Sequence, residues 1–177
     1  DGGISTGTII DSGNQDVYTG GISNGTTIKG GNSHISGGTA NGTIIDGGGQ
    51  KVTTQGHVDG TTINKSGYQD ITQGSIATNT IINGGRQYVE QSTVETTTIK
   101  NGGEQRVYES HALDTTIEGG TQSLNNKSTA KILRSILVVR KLLITPAPRM
   151  LLKFIPVACL MLVVVRQQML PSTMVQF

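Results

Sequence analysis

Twelve carboxylates, three histidines and one cysteine are the side chains of this 177-residue protein suited to acid–base, metal or nucleophile chemistry. Glycoside hydrolysis needs two carboxyl groups roughly 5–9 Å apart in a groove. The acids here fall at turns or at outward positions of short strands. Asp11, Asp46 and Glu118 each follow a recurring isoleucine, and Asp16 and Asp70 each sit between a glutamine and a β-branched residue. Asp11 and Asp46 are two repeat units apart, roughly 10 Å at the inter-strand spacing, with Lys29 between them. They read as solvated charge rather than as a catalytic pair. His34, His57 and His111 occupy unrelated contexts and form no ligand set. Cys159 stands alone near the far end, so the repeat region has neither a disulfide framework nor a cysteine zinc site. These residues assign no catalytic, cofactor-binding or metal site, and no cofactor is expected.

What positions them is a repeat, the feature to look for before any local element. One column reads Ile10, Ile28, Ile45, Ile63, Ile82, Ile99, Ile117, at steps of 17 to 19. A second reads Val17, Ile35, Val52, Ile71, Val89, Val107, Leu124. A third apolar column, at steps of 18, reads Ile4, Ile22, Ala40, Val58, Ile76, Val94, Ala112. Threonine stands two residues before every member of the first column, from Thr8 to Thr115. Glutamine stands two before the second, from Gln15 to Gln122, with Ser33 as the one exception.

Each copy is Thr-x-Ile, a Gly/Asn/Asp-rich break, then Gln-x-Val. Period-2 alternation of β-branched residues predicts short strands, and the glycine-rich breaks predict turns. Helix is excluded, because no 3.6-residue period is present and glycine and threonine are poor helix formers. A unit this short cannot bury its own apolar face, so neighbours must stack. Three apolar columns per unit predict an all-β fold, a parallel β-helix of about seven coils of ~18 residues. The uneven spacing from Ile to Val, 7 or 8 residues, favours the right-handed form over a hexapeptide left-handed one. Stacking is expected to place Ile on Ile inside, with Thr hydroxyls and Gln amides bonding along their own columns. The glycine pairs Gly84-Gly85 and Gly102-Gly103 are expected at tight corners with positive φ. None is followed by a helix or a lysine, so a phosphate loop is not supported.

The unit Thr80-Ile81-Ile82-Asn83-Gly84-Gly85-Arg86-Gln87-Tyr88-Val89 resembles the passenger repeats of self-associating autotransporter adhesins. These are the AIDA and antigen 43 type of Gram-negative bacteria, and the resemblance covers about residues 2–131. It implies a secreted right-handed β-helix, displayed at the cell surface on the outer membrane. Such a rod acts in cell–cell aggregation, biofilm formation or attachment, with itself or a host or abiotic surface as partner. Two parts the resemblance implies are missing here. No signal segment precedes the repeats, and no membrane barrel follows them, so this chain alone is not expected to reach the surface. The opening DGGISTGTII already lies inside a repeat, as in a piece of a longer protein.

One outward column is a candidate contact surface. Between the Thr and Ile columns run Ile9, Thr27, Ile44, Thr62, Ile81, Thr98 and Thr116. Alternation turns this column to solvent if its neighbours face inward. A stripe of Ile and Thr on solvent suits side-by-side association of two rods, although β-branched residues also favour strands for their own sake. Weak contacts repeated along many rods add up by avidity.

Composition divides the chain at about residue 126. Residues 1–126 carry 6 Lys/Arg against 12 Asp/Glu, whereas residues 127–177 carry 8 Lys/Arg and no acid. An acidic repeat region is a poor match for nucleic acid. The apolar, basic tail has three readings. A membrane-spanning helix needs ~20 apolar residues, but the best run, 155–165, has 11 and contains Pro156. A basic amphipathic anchor could use Lys131, Arg134, Arg140 and Lys141. A frameshift near Lys131 would replace the repeat with out-of-frame sequence, and the abrupt loss of glycine favours it. Two function classes follow: a non-enzymatic adhesin repeat, or a carbohydrate-active β-helix enzyme, which paired carboxylates on adjacent coils would support.

Overall fold

The computed structural model describes residues 2–135, 153–157 and 160–165. They form an all-β parallel solenoid of about seven turns. Each turn contributes one strand to each of three parallel ladders. The fourth turn is typical, with strands His57–Asp59, Thr62–Asn64 and Gly67–Ile71. Its partners in the next turn are in strict register: Val58 opposes Ala77, Ile63 opposes Ile82, and Gln69 opposes Gln87. Equivalent residues therefore stack, and a type that suits one turn suits every turn.

Two apolar stacks fill the interior. Ile10, Ile28, Ile45, Ile63, Ile82, Ile99 and Ile117 form one buried cluster. Val17, Ile35, Val52, Ile71, Val89, Val107 and Leu124 form the other, together with the small residues of the first ladder. A fully buried Ile side chain contributes about 1.5–3 kcal/mol, so each added turn extends a continuous core.

The third apolar column differs from the sequence expectation. The inward residues of the first ladder are Ser5, Ser23, Ala40, Val58, Ala77, Val94 and Ala112, as the pairings Ser5 to Ser23, Ser23 to Ala40 and Val58 to Ala77 show. Ile4 and Ile76 instead point outward, 70% and 41% exposed, and Ile22 is half-buried. In turns of unequal length, strand phase is set by the corner after the strand, not by where the largest apolar residue lies. That corner is a left-handed residue in every turn, from Gly7 (φ 66°) through Gly60 (φ 67°) to Asn79 (φ 52°).

Between the apolar stacks runs a buried polar ladder. Gln69 donates Nε2–H to Gln50 Oε1 at 2.8 Å, Gln87 to Gln69 at 2.7 Å, Gln105 to Gln87 at 2.6 Å and Gln122 to Gln105 at 2.6 Å. The threonines do not bond along their own column. They bond to the glutamines instead: Thr43 accepts from Gln50 at 3.1 Å and Thr115 from Gln122 at 3.2 Å, while Thr26 and Thr61 donate to Gln15 and Gln50 at 3.3 and 3.5 Å. Where Ser33 breaks the glutamine column, Ser23 turns inward and donates to Gln15 Oε1 at 3.2 Å. At the far end the Gln122 carbonyl oxygen is buried without a partner among the described residues.

The glycine pair divides two tasks. Gly84 supplies a positive φ of 85°, whereas Gly85 has no such conformation. A Cβ on Gly85 would meet Ile63 Cγ2 at 2.5 Å and Asn64 O at 2.6 Å. The second glycine is there for close approach, not for its turn angle.

The strand Thr129–Ser135 joins the first ladder in register, Ala112 to Ala130, and then slips. Thr115 meets Ile132 and Ile117 meets Ser135, so the Thr-on-Thr, Ile-on-Ile pairing ends there. Lys153–Val157 and Leu160–Val165 pair antiparallel, and the latter pairs antiparallel with Thr129–Ser135. Among the described residues no helix is long and apolar enough to cross a membrane. Most of the tail lies outside the described residues, and so do Arg140, Lys141 and Cys159.

Candidate functional site

A solenoid with a filled interior can act only through its outer faces, and two of these carry distinctive side chains. The second ladder bears the Ile/Thr column. Ile9 and Ile44 are 59% and 42% exposed, while Ile81, Thr27, Thr62, Thr98 and Thr116 are half-buried. Stacking keeps them in line: Ile9 opposes Thr27, Thr27 opposes Ile44, and Thr62 opposes Ile81. Beside them runs a polar edge. Lys29 pairs with Asp11 at 3.5 Å, Asn64 donates to Asp46 at 2.6 Å and Asn83 donates to Asn64 at 3.0 Å. Asp11 and Asp46 are thus each engaged by a neighbour and form no pair.

The third ladder carries the residues that sequence reasoning passed over. Tyr68 lies along the rod axis rather than standing away from it. A Cβ on Gly49 would meet Tyr68 Cζ at 2.2 Å, so the ring fills the place of a side chain at Gly49. The Tyr68 hydroxyl donates to Asn32 Oδ1 at 3.1 Å, two turns away. Tyr88 stands one turn on and is also exposed. Asp70 lies between Lys51 and Tyr88 in one stacked column. Glu104 accepts from Arg106 Nε at 2.7 Å and lies 3.7 Å from Arg86 Nε.

Three hollows of about 260, 180 and 410 Å³ lie along this face, and Asp70 lines all of them. Burial pushes the Asp70 carboxyl above the ordinary range, against the opposing pull of Lys51. Burial likewise raises Tyr88, followed by the charges of Glu90, Tyr108 and Asp70. The sequence placed Asp70 at an outward strand position, but Tyr68 and Tyr88 flank it on the sheet and leave it half-buried. The signal was present in the alternation: Tyr88 occupies the same outward position as Asp70, between Gln87 and Val89.

The histidines are dispersed. His34 contacts Asp16 at 3.6 Å and Thr53 at 3.1 Å, and His111 contacts Thr129 at 2.7 Å. No cluster of three or more His, Cys, Asp or Glu is present among the described residues.

No family model matches the chain, and no curated protein does. A solved structure does: a TibC-catalyzed hyper-glycosylated fragment of TibA, with a TM-score of 0.69 and 32% sequence identity. The match covers 76% of this chain and 52% of that one, so this chain spans about half the length of that fragment. The two share the solenoid.

Proposed function

We propose that residues 1–126 are a stretch of the surface-displayed passenger of an autotransporter adhesin of the AIDA and antigen 43 type. The rod works without catalysis, by side-by-side association in cell–cell aggregation, biofilm formation or attachment to a host or abiotic surface. Its tether to the outer membrane is a translocator barrel elsewhere in the parent protein. The tail, residues 127–177, takes no part.

The observation that carries this reading is the second-ladder stripe. Ile9, Ile44 and Ile81 put apolar, β-branched surface in one line on a rod whose net charge is otherwise acidic. The repeat's resemblance to adhesin passengers and its likeness to the TibA fragment support the reading. The test is to display residues 1–126 ahead of a translocator barrel on bacterial cells. Displaying cells settle from suspension, whereas cells displaying Ile9→Lys, Ile44→Lys and Ile81→Lys together stay dispersed at equal surface amount. Equal settling refutes the stripe.

One observation favours a second reading, a carbohydrate-active enzyme. Asp70 and Glu90 line the same 410 Å³ hollow from adjacent turns, and Asp70 opposes Tyr88, two residues before Glu90. Strand spacing and rise put their backbones roughly 8 Å apart on one outward face, so both carboxyls can reach the same groove, as glycosidases require. The raised Asp70 carboxyl would be the acid and Glu90 the base or nucleophile. Release of reducing ends from a polysaccharide, lost in both Asp70→Asn and Glu90→Gln, would establish it.

A further inference from the structure

The third-ladder face is a separate matter from the stripe, and it holds whether or not rods associate. Its first element is a fixed aromatic platform. Tyr68 is pinned at both ends, its ring against Gly49 and its hydroxyl on Asn32, yet it remains exposed. A ring held in this way presents one flat π-face to solvent and loses no rotamer freedom when something stacks on it. Tyr88, exposed on the next turn, offers a second ring further along the axis.

The second element is a set of unspent polar groups between and beside the rings. No side chain among the described residues donates a hydrogen bond to Asp70, and its charge is opposed only by Lys51. Asp70 can therefore accept two or more hydrogen bonds, and Lys51 can donate three. Asn32 lies beyond Tyr68 and is partly engaged, its Oδ1 accepting from Tyr68 and its Nδ2 donating to Asn14 at 3.4 Å, which leaves one oxygen lone pair and one N–H for a ligand.

The third element is charge balance. Three cations, Lys51, Arg86 and Arg106, face four carboxylates, Asp16, Asp70, Glu90 and Glu104, along the three hollows. Arg106 is already spent on Glu104. Such a face attracts neither a polyanion nor a polycation. The ligand that fits it is uncharged, flat on one side and rich in hydroxyls. The hollows run from Asn14 and Asp16 to Arg106, which is five turn spacings or about 24 Å. That shape is a chain, not a single small molecule.

We infer that the third-ladder face binds a neutral linear glycan laid along the rod. Its sugar rings stack on Tyr68 and Tyr88, and its hydroxyls bond to Asp70, Lys51 and Asn32. No bond is made or broken in this step. The site is open at both ends, so it takes an internal stretch of a polymer rather than a chain end.

The chain has no tryptophan and four tyrosines, so tyrosine emission reports directly on this face. The full 177-residue chain is titrated with cellohexaose, maltohexaose, xylohexaose and, as the anionic counterpart, a heparin hexasaccharide. The expected result is saturable binding of at least one neutral hexaose, with no binding of the heparin probe. Tyr88→Ala and Tyr68→Ala each weaken it tenfold or more, and Tyr18→Ala leaves it unchanged. Tyr88 anchors no described side chain, so Tyr88→Ala keeps the test valid even if Tyr68→Ala fails to fold by circular dichroism. The inference is overturned if no neutral hexaose binds at millimolar concentration. Binding that survives Tyr88→Ala in a folded variant overturns it too, as does preference for the heparin probe. It is also overturned if Tyr88→Ala abolishes rod association instead, which would assign the face to protein contact.

Discussion

Replacing Gln87 separates packing from hydrogen bonding in the interior of the rod. The side chain is fully buried at mid-column. Its Nε2 donates to Gln69 Oε1 at 2.7 Å and to Thr80 Oγ1 at 3.5 Å, and its Oε1 accepts from Gln105 Nε2 at 2.6 Å. In Gln87→Ala the Gln69 oxygen loses that short bond, and Gln105 keeps only a long contact to Thr97 at 3.4 Å. Each stranded buried group costs about 1–3 kcal/mol, so the expected loss is roughly 2–6 kcal/mol. Water entering the void would bring the value toward the lower end. Gln87→Leu is the informative companion, because it keeps the volume but strands the same two groups. Both variants are expected to lose stability within about 1 kcal/mol of each other. Urea unfolding followed by circular dichroism measures them, and effects should stay local because a solenoid's stability is close to a sum over turns and their interfaces. If Gln87→Leu restores wild-type stability while Gln87→Ala does not, the column is filler and the ladder argument fails. Gln15→Ala, at the half-exposed first turn, strands the buried Ser33 hydroxyl while Ser23 and Thr26 keep their bond to each other, so it is expected to cost about 1–3 kcal/mol.

Other consequences are equally open to measurement. Ile63→Ala or Ile82→Ala should cost about 2–5 kcal/mol, whereas outward Ile76→Ala should stay within about 0.5 kcal/mol; equal costs would contradict the assigned strand phase. Gly85→Ala should destabilise by about 1–3 kcal/mol through its clash with Ile63 and Asn64, and an unchanged midpoint would contradict the close approach. Asp59 accepts from Thr78 at 2.6 Å and Asn79 at 2.7 Å, which hold its carboxyl below the ordinary 3.8. Its stabilising contribution is therefore present above pH 3.8 and lost as pH falls through its folded value. Asp70 is the opposite case, raised above 3.8, so its contribution is present below that pH and lost as pH rises through the folded value. Asp70→Asn is then expected to raise the melting temperature at pH 7 and not at pH 3, and a lower melting temperature at pH 7 would contradict its burial. The nucleotide sequence across residues 129–140, translated in the other two frames, should resume Thr-x-Ile, Gly-Gly and Gln-x-Val; if neither frame does, the tail is genuine.

The repeat made the solenoid legible because stacking forces like residues into register. Thr97-Thr98-Ile99 announces an inward Thr, an outward Thr and an inward Ile in any turn, and the structure stacks Thr98 on Ile81 and Ile99 on Ile82. Phase in the first ladder was not legible, since Ile4, Ile22 and Ile76 drew attention from Ser5, Ser23 and Ala77, which face inward. A serine there makes sense only once Gln15 is seen within 3.2 Å of Ser23. The glycan face was hidden for a different reason. Tyr68 and Tyr88 belong to different columns, so no periodicity marks them, and the lie of Tyr68 depends on Gly49 one turn before it.

Sedimentation velocity on the chain and on its Ile9→Lys, Ile44→Lys, Ile81→Lys variant tests the association stripe most directly. The tail is common to both and cancels in the comparison. Concentration-dependent association in the parent chain, absent in a variant with the same circular dichroism spectrum, is the predicted result. Identical association in both, with the variant still folded, would contradict it.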